Sequence, residues 1–184
     1  RGEAEMSVFM SYSEPAAYHP LSVANLLIGI ADQEGEFLTP MKLQKLLFFT
    51  HGYHLAYFDR PAVNKEFEVW KYGPIAPAVY KAYQNFGRYP ITGEVWRIGF
   101  RLVPVIPVNS DSESVRKIAG AIWKTYGCKS AIDCSMYTHL DDSPWNQAKR
   151  LGFAYVPNEI ILEYYKKVIL ENSPLKETTI IVKK

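Results

Sequence analysis

What this chain lacks narrows its function more than what it has. It carries two cysteines, Cys128 and Cys134, too few for a disulfide framework and spaced unlike a zinc knuckle or a redox pair. Two reduced thiols in a cytoplasm is the expectation. The formal charge is only +2, and no block of lysine or arginine forms a basic stripe, so nucleic acid is not indicated as a partner. No apolar run approaches the length of a membrane span. A glycine-rich phosphate loop, a GxSxG elbow and an HExxH helix are all missing. No catalytic residue and no cofactor site is therefore assigned.

What is there is an ordinary globular composition with a surplus of aromatics. Hydrophobic residues make up 48% of the 184 positions and charged residues 22%, which argues for one packed domain rather than disorder. Thirteen tyrosines suggest a core with wet edges or an interface. Residues 1–5, RGEAE, precede Met6 and read as a cloning remnant, and 1–19 as that remnant plus an N-terminal arm. The domain is expected over 20–172, with 173–184 as a tail that is either a late strand or disordered.

Helical periodicity dominates. Val23, Leu26, Leu27 and Ile30 mark a first helix that stops at Gly35. Thr39 followed by Pro40 is a cap followed by a proline at the first helical position. From Leu43 to Phe58 the apolar residues cover almost every face, as in a helix wrapped by others. Gly52 in its middle suggests close approach of another backbone. Residues 65–72, KEFEVWKY, predict a short strand broken by Gly73-Pro74. Pro77 opens a helix striped by Val79, Tyr80, Tyr83 and Phe86 that ends at Gly87. A second strand or hairpin arm is expected within 91–108. Ser110 and Glu113 read as a capping box for a helix ending at Gly127. Ser130 caps a short helix to about Leu140, Ser143-Pro144 repeats the cap-then-proline device, and a last helix starts near Asn158. The expectation is a mainly α, compact domain of six to seven helices around a central apolar helix, with a small inserted β-hairpin or short sheet.

Two constellations invite a chemical reading. His51 and His54 lie three apart on the central helix and can share a face, so a metal-dependent hydrolase using both and a distant carboxylate is one alternative. The flanking THGYHLAYF offers no carboxylate on that face, and the favoured reading is structural, with one histidine hydrogen-bonded in the core and the other partly wet. The helices on either side of Gly127 mimic a helix-turn-helix, so a DNA-binding repressor using Ser130 to Leu140 is another. Its second helix offers Asp133, Ser135 and Thr138 but no cation for base edges.

The most particular stretch is VWKYGPIAPAVY at 69–80, with an aromatic pair, a lysine and a rigid turn but no reactive group. It follows LTPMKLQKLLFFTHGYHLAYF, and a later segment carries Tyr137-Thr138-His139 and then Ser143-Pro144-Trp145 with Asn146-Gln147-Ala148. Lys42 to Leu47, His51-Gly52-Tyr53, Trp70 to Pro74, Pro77 to Tyr80 and the Thr-His and Ser-Pro-Trp elements stand in the order of the Panacea domain. The chain closely resembles that SocA-like antitoxin family over roughly residues 20–170, departing in Tyr137 where the family has leucine. The family includes phage-associated and genetic-element proteins.

The resemblance implies a mostly helical cytoplasmic domain without catalytic activity, acting as an antitoxin. Its partner would be a cognate protein toxin encoded beside it. One branch delivers the toxin as a proteolytic adaptor to a Clp-type unfoldase and protease; others sequester it. Some members carry an added DNA-binding domain, and none is visible here. Within the motif, Lys71, Tyr72, Gly73 and Pro74 are assigned to partner binding. Trp70, Pro77, Tyr80, His51, His139 and Trp145 are assigned structural parts, with Trp70, Tyr80 and Trp145 in the core.

Overall fold

A computed structural model describes residues 17–92, 97–98, 101–102 and 112–172. Among these are seven α-helices, six of them arranged around or extending from one central helix, and five short strands. Helix α1 spans Pro20–Gln33 and α2 spans Pro40–Phe58. Every α2 residue from 43 to 55 is buried, so this is the central helix its all-round apolarity predicts. Helices α4 (Glu113–Tyr126), α5 (Ala131–Thr138) and α7 (Asn158–Asn172) pack against it, as does α1. Helices α3 (Pro77–Tyr83) and α6 (Pro144–Arg150) are short, and a 3₁₀ turn at Gln84–Phe86 extends α3.

The proline starts are read correctly because each is a local device. Thr39 Oγ1 accepts from the Lys42 amide at 3.3 Å and Ser143 Oγ from the Asn146 amide at 3.3 Å. Ser130 and Asp133 form a full capping box at the start of α5. The box expected from Ser110 and Glu113 is not the start of α4. The helix begins at Glu113, which pairs instead with Lys117 one turn on, and Ser112 holds the cap position. Ser110 itself lies outside the described residues, as do 1–16 and the tail from 173 onward. His19 caps α1 by accepting from the Leu21 amide, a role its residue type does not advertise.

Gly52 marks a close approach, but of a side chain rather than a backbone. A Cβ there would run into the ring of Tyr165 from α7. That ring also packs edge-on to Tyr53, so the glycine lets an aromatic cluster close over the middle of α2.

Strand β1 (Phe67–Trp70) is the centre of a three-stranded antiparallel sheet, with β2 (Gly73–Ile75) on one side and β5 (Tyr155–Val156) on the other. Gly73-Pro74 therefore does not end the β structure; it is the returning arm of a hairpin in which Trp70 pairs with Gly73 and Val69 with Pro74. Proline is tolerated there because β2 is an edge strand. Lys71 and Tyr72 form the turn with negative φ, and Gly73 at φ +107 brings the chain back into register. A separate two-stranded hairpin, β3 (Arg97–Ile98) with β4 (Arg101–Leu102), occupies the expected 91–108 segment.

Candidate partner-binding site

The polar residues of α2 resolve the contradiction of a greasy helix carrying lysine and glutamine. Buried polar groups have to find partners, and the half-buried Lys42 and the buried Gln44 and Lys45 all find backbone. Lys42 Nζ donates to the Gly127 carbonyl at 2.5 Å, at the C-terminal end of α4 where a cation is favoured. Gln44 clamps Ala76 from both sides: its Nε2 donates to the Ala76 carbonyl at 3.2 Å and its Oε1 accepts from the Ala76 amide at 2.9 Å. Lys45, only 1% exposed, donates to the Tyr72 carbonyl at 2.6 Å. Gln44 and Lys45 thus grip the hairpin arm and its turn from behind.

A second brace comes from α5 and α6. Trp145, 3% exposed, donates its indole N–H to the Trp70 carbonyl at 3.0 Å. His139 packs on the Trp145 ring with centroids 4.3 Å apart and is itself fixed by donating Nδ1–H to the Ser135 carbonyl at 2.7 Å. Ser143 donates to the Thr138 carbonyl at 2.7 Å, tying the two helices together. Gly73 lies where these supports meet: a Cβ on it would collide with Lys45 Nζ and come within 3.0 Å of Thr138 Oγ1.

With the backbone held from behind, the side chains of the turn face out. Tyr72 is 65% exposed, Tyr80 41% and Trp70 37%, and Lys71 is exposed beside them with its ammonium over the Tyr72 ring. The expected core placement holds for Trp145 and fails for Trp70 and Tyr80. Those two pack edge-on against each other at 4.7 Å on the surface rather than in the core. Gly73 and Pro74, expected on the contact surface with Lys71 and Tyr72, are buried and serve to set the turn. Pro77 opens α3 as expected. Between the hairpin, α2 and α3 runs a groove of about 650 Å³, walled by Met41, Trp70, Tyr72 and Tyr80, with Gln44 and Lys45 at its base. Its lining is predominantly apolar and, among the described residues, includes Lys45 and Lys71 but no aspartate or glutamate. Burial holds the Lys45 pKa down at about 8, since its ammonium has lost most of its water and has gained a carbonyl rather than a carboxylate.

Sequence reading does not single out Met41, Gln44 or Lys45 as site residues. The available signal is the presence of polar side chains on a helix whose every face is apolar, which demands a specific acceptor for each.

The histidine pair is organised differently. His51 is 1% exposed and His54 4%, so neither is partly wet. His51 Nδ1 accepts from the Val63 amide at 3.3 Å, which leaves Nε2–H to donate to Asn158 Oδ1 at 2.9 Å. His54 Nδ1–H donates to the Arg60 carbonyl at 2.7 Å, and Nε2 accepts from Ser114 at 2.9 Å. All four ring nitrogens are engaged by protein, and no lone pair is left for a metal. Desolvation pushes His51 down to about 4 and lowers His54, so both are neutral struts pinning the starts of α7 and α4 to the central helix. Among the described residues no group of three histidine, cysteine or acidic side chains is placed to hold a metal. The open face of α5 shows Ile132, Asp133 and Met136, apolar and acidic where a recognition helix would be basic. No helix among the described residues is long and apolar enough to cross a membrane.

Fold and site together define a class: a small helical domain that braces an aromatic hairpin from behind and leaves its outer face open. The family is specific. Residues 43–146 match the family described as "Antitoxin SocA-like, Panacea domain", and the chain belongs to it. Among curated proteins it is similar to "Antitoxin SocA" of Caulobacter vibrioides (strain NA1000 / CB15N), 30% identical over 134 residues that cover 72% of this chain and 71% of the relative. No solved structure matches.

Proposed function

We propose that this chain is a non-enzymatic, cytoplasmic antitoxin that neutralises a protein toxin by binding it through the outer face of the Trp70–Ile75 hairpin, with Lys71 and Tyr72 as contact residues. Family membership supports the antitoxin role. The observation that carries the site is the groove beside the turn, where Met41, Trp70, Tyr72 and Tyr80 expose one continuous apolar surface. Exposed aromatic patches of this kind mark interaction sites, and tyrosine and tryptophan anchors dominate binding energy when a partner desolvates them.

Co-expression with the neighbouring reading frame tests this. Growth arrested by that gene alone is expected to recover with the intact chain and not with Tyr72→Ala or Trp70→Ala, both variants remaining folded. Absence of a toxic neighbour, or full rescue by both variants, contradicts the reading. Toxin half-life in a host lacking its Clp-type protease separates the two modes of neutralisation: prolonged half-life with loss of rescue indicates proteolytic delivery, and unchanged rescue indicates sequestration.

A further inference from the structure

The groove has a charge character that the antitoxin reading alone does not require. Among the described residues two lysines line it and no carboxylate does. Lys45 is buried, and its one hydrogen bond among the described residues goes to a backbone carbonyl. Lys71 sits at the rim with its ammonium over the Tyr72 ring, unpaired with any acid among the described residues. The hairpin's single acid, Glu68, is not among the residues lining the groove; its carboxylate accepts from the Trp70 indole N–H at 2.5 Å. An apolar trough with uncompensated positive charge at its base and rim complements a ligand that is apolar and negative.

We propose that the groove receives an acidic, apolar peptide segment of the partner, in which an aliphatic or aromatic side chain lies among Met41, Trp70 and Tyr80 while an adjacent aspartate or glutamate pairs with Lys71 at the rim and offsets the charge of Lys45 beneath. The segment being part of a toxin rests on the antitoxin reading; the chemistry of the groove does not. A partner carboxylate gives Lys45 the counter-charge that no described residue of the chain supplies. It also fixes the register of a segment that apolar contacts alone would let slide.

The probe is a phage-displayed library of random dodecapeptides panned on the purified chain, with the winning peptides synthesised and titrated. Enrichment of aspartate or glutamate within a few residues of Leu, Ile, Phe or Trp is expected. Winners are expected to lose about tenfold or more in affinity on Lys71→Glu, as like charges meet, and to weaken on Lys45→Met, with unfolding curves showing both variants folded. The sharper arm repeats the panning on Lys71→Glu, where winners are expected to switch toward lysine and arginine. Basic or uncharged winners on the unaltered chain, no enrichment at all, or winners indifferent to both substitutions would overturn the proposal. So would concentration-dependent dimerisation abolished by Tyr72→Ala, which would make a second copy the occupant. Acidic winners together with failed growth rescue would leave the groove chemistry standing and remove the antitoxin reading; rescue together with basic winners would do the reverse.

Discussion

The histidine pair and the hairpin use the same central helix in opposite ways. His51 and His54 are the residue types that suggest chemistry, yet every ring nitrogen is closed by a protein partner and both rings are buried. The hairpin contains no histidine, cysteine or hydroxyl nucleophile of the serine or threonine kind, yet it is where the molecule is open. Gln44, Lys45 and Trp145 close only its backbone, leaving Trp70, Tyr72 and Tyr80 facing outward. Reactive residue types here build architecture, and unreactive ones build a surface. What separates the two regions is which atoms the buried polar groups hold: side chains and loop ends at one, the carbonyls behind a turn at the other.

The largest effect is expected from removing the brace behind the hairpin. Trp145→Ala deletes a buried indole and its bond to the Trp70 carbonyl. A loss of about 3–5 kcal/mol in unfolding free energy is expected, with loss of partner binding although Trp145 never reaches the surface. Denaturant unfolding and a toxin pull-down measure both. A loss below about 1 kcal/mol would mean that the hairpin stands without its brace.

The two regions should also part along the pH axis. The histidines are neutral in the folded chain, and burial keeps His51 near 4. As pH falls through the ordinary histidine value of 6.5, the unfolded chain takes up protons that the folded chain refuses. Stability therefore falls, by about 2 kcal/mol at pH 5 from His51 alone, with His54 acting in the same direction. Lys45 acts at the other end. With a folded value of about 8 against 10.5 unfolded, it loses its proton first in the folded chain, and stability rises by about 2 kcal/mol between pH 8 and 10. Above 10 the buried tyrosines Tyr53, Tyr126 and Tyr165, all raised by desolvation, oppose that rise. Denaturant melts across this range are expected to show both limbs. His51→Gln should flatten the acid limb and Lys45→Met the alkaline one. An alkaline limb unchanged in Lys45→Met would mean that the lysine is not desolvated.

Smaller differences distinguish two caps that look alike in sequence. Thr39 only caps α2, so Thr39→Ala should cost about 1 kcal/mol. Ser143 is fully buried, caps α6 and also donates to the Thr138 carbonyl behind the hairpin. Ser143→Ala should therefore cost about 2 kcal/mol, since an acceptor is left unpaired as well. Equal losses in thermal unfolding would deny Ser143 its second role.

Those caps also show how far the sequence could be read. Thr39-Pro40, Ser130 with Asp133 and Ser143-Pro144 are recognisable because cap and helix are adjacent in the chain. The all-round apolarity of Leu43 to Phe58 likewise announces a central helix. Trp70 and Tyr80 read as core residues because large aromatics usually go there. The placement of Trp70 depends on Trp145, 75 residues away, holding its carbonyl, and hydrophobic periodicity carries no trace of such a bond. Gly73-Pro74 reads as a strand breaker because its tolerance depends on β2 lying at the sheet edge. The base of the groove is illegible in the sequence for the same reason: Gln44 and Lys45 are interpretable only once the turn they hold is in place.

The central claim is that the hairpin's backbone belongs to the fold and its outer side chains to a partner, and Tyr72→Ala tests it most directly. Its side chain is largely exposed, so unfolding free energy should change by less than about 0.5 kcal/mol. Toxin affinity, measured by calorimetry on the same preparation, should fall by about 2 kcal/mol or more. A large loss of stability, or unchanged affinity in a fully folded variant, would contradict the claim.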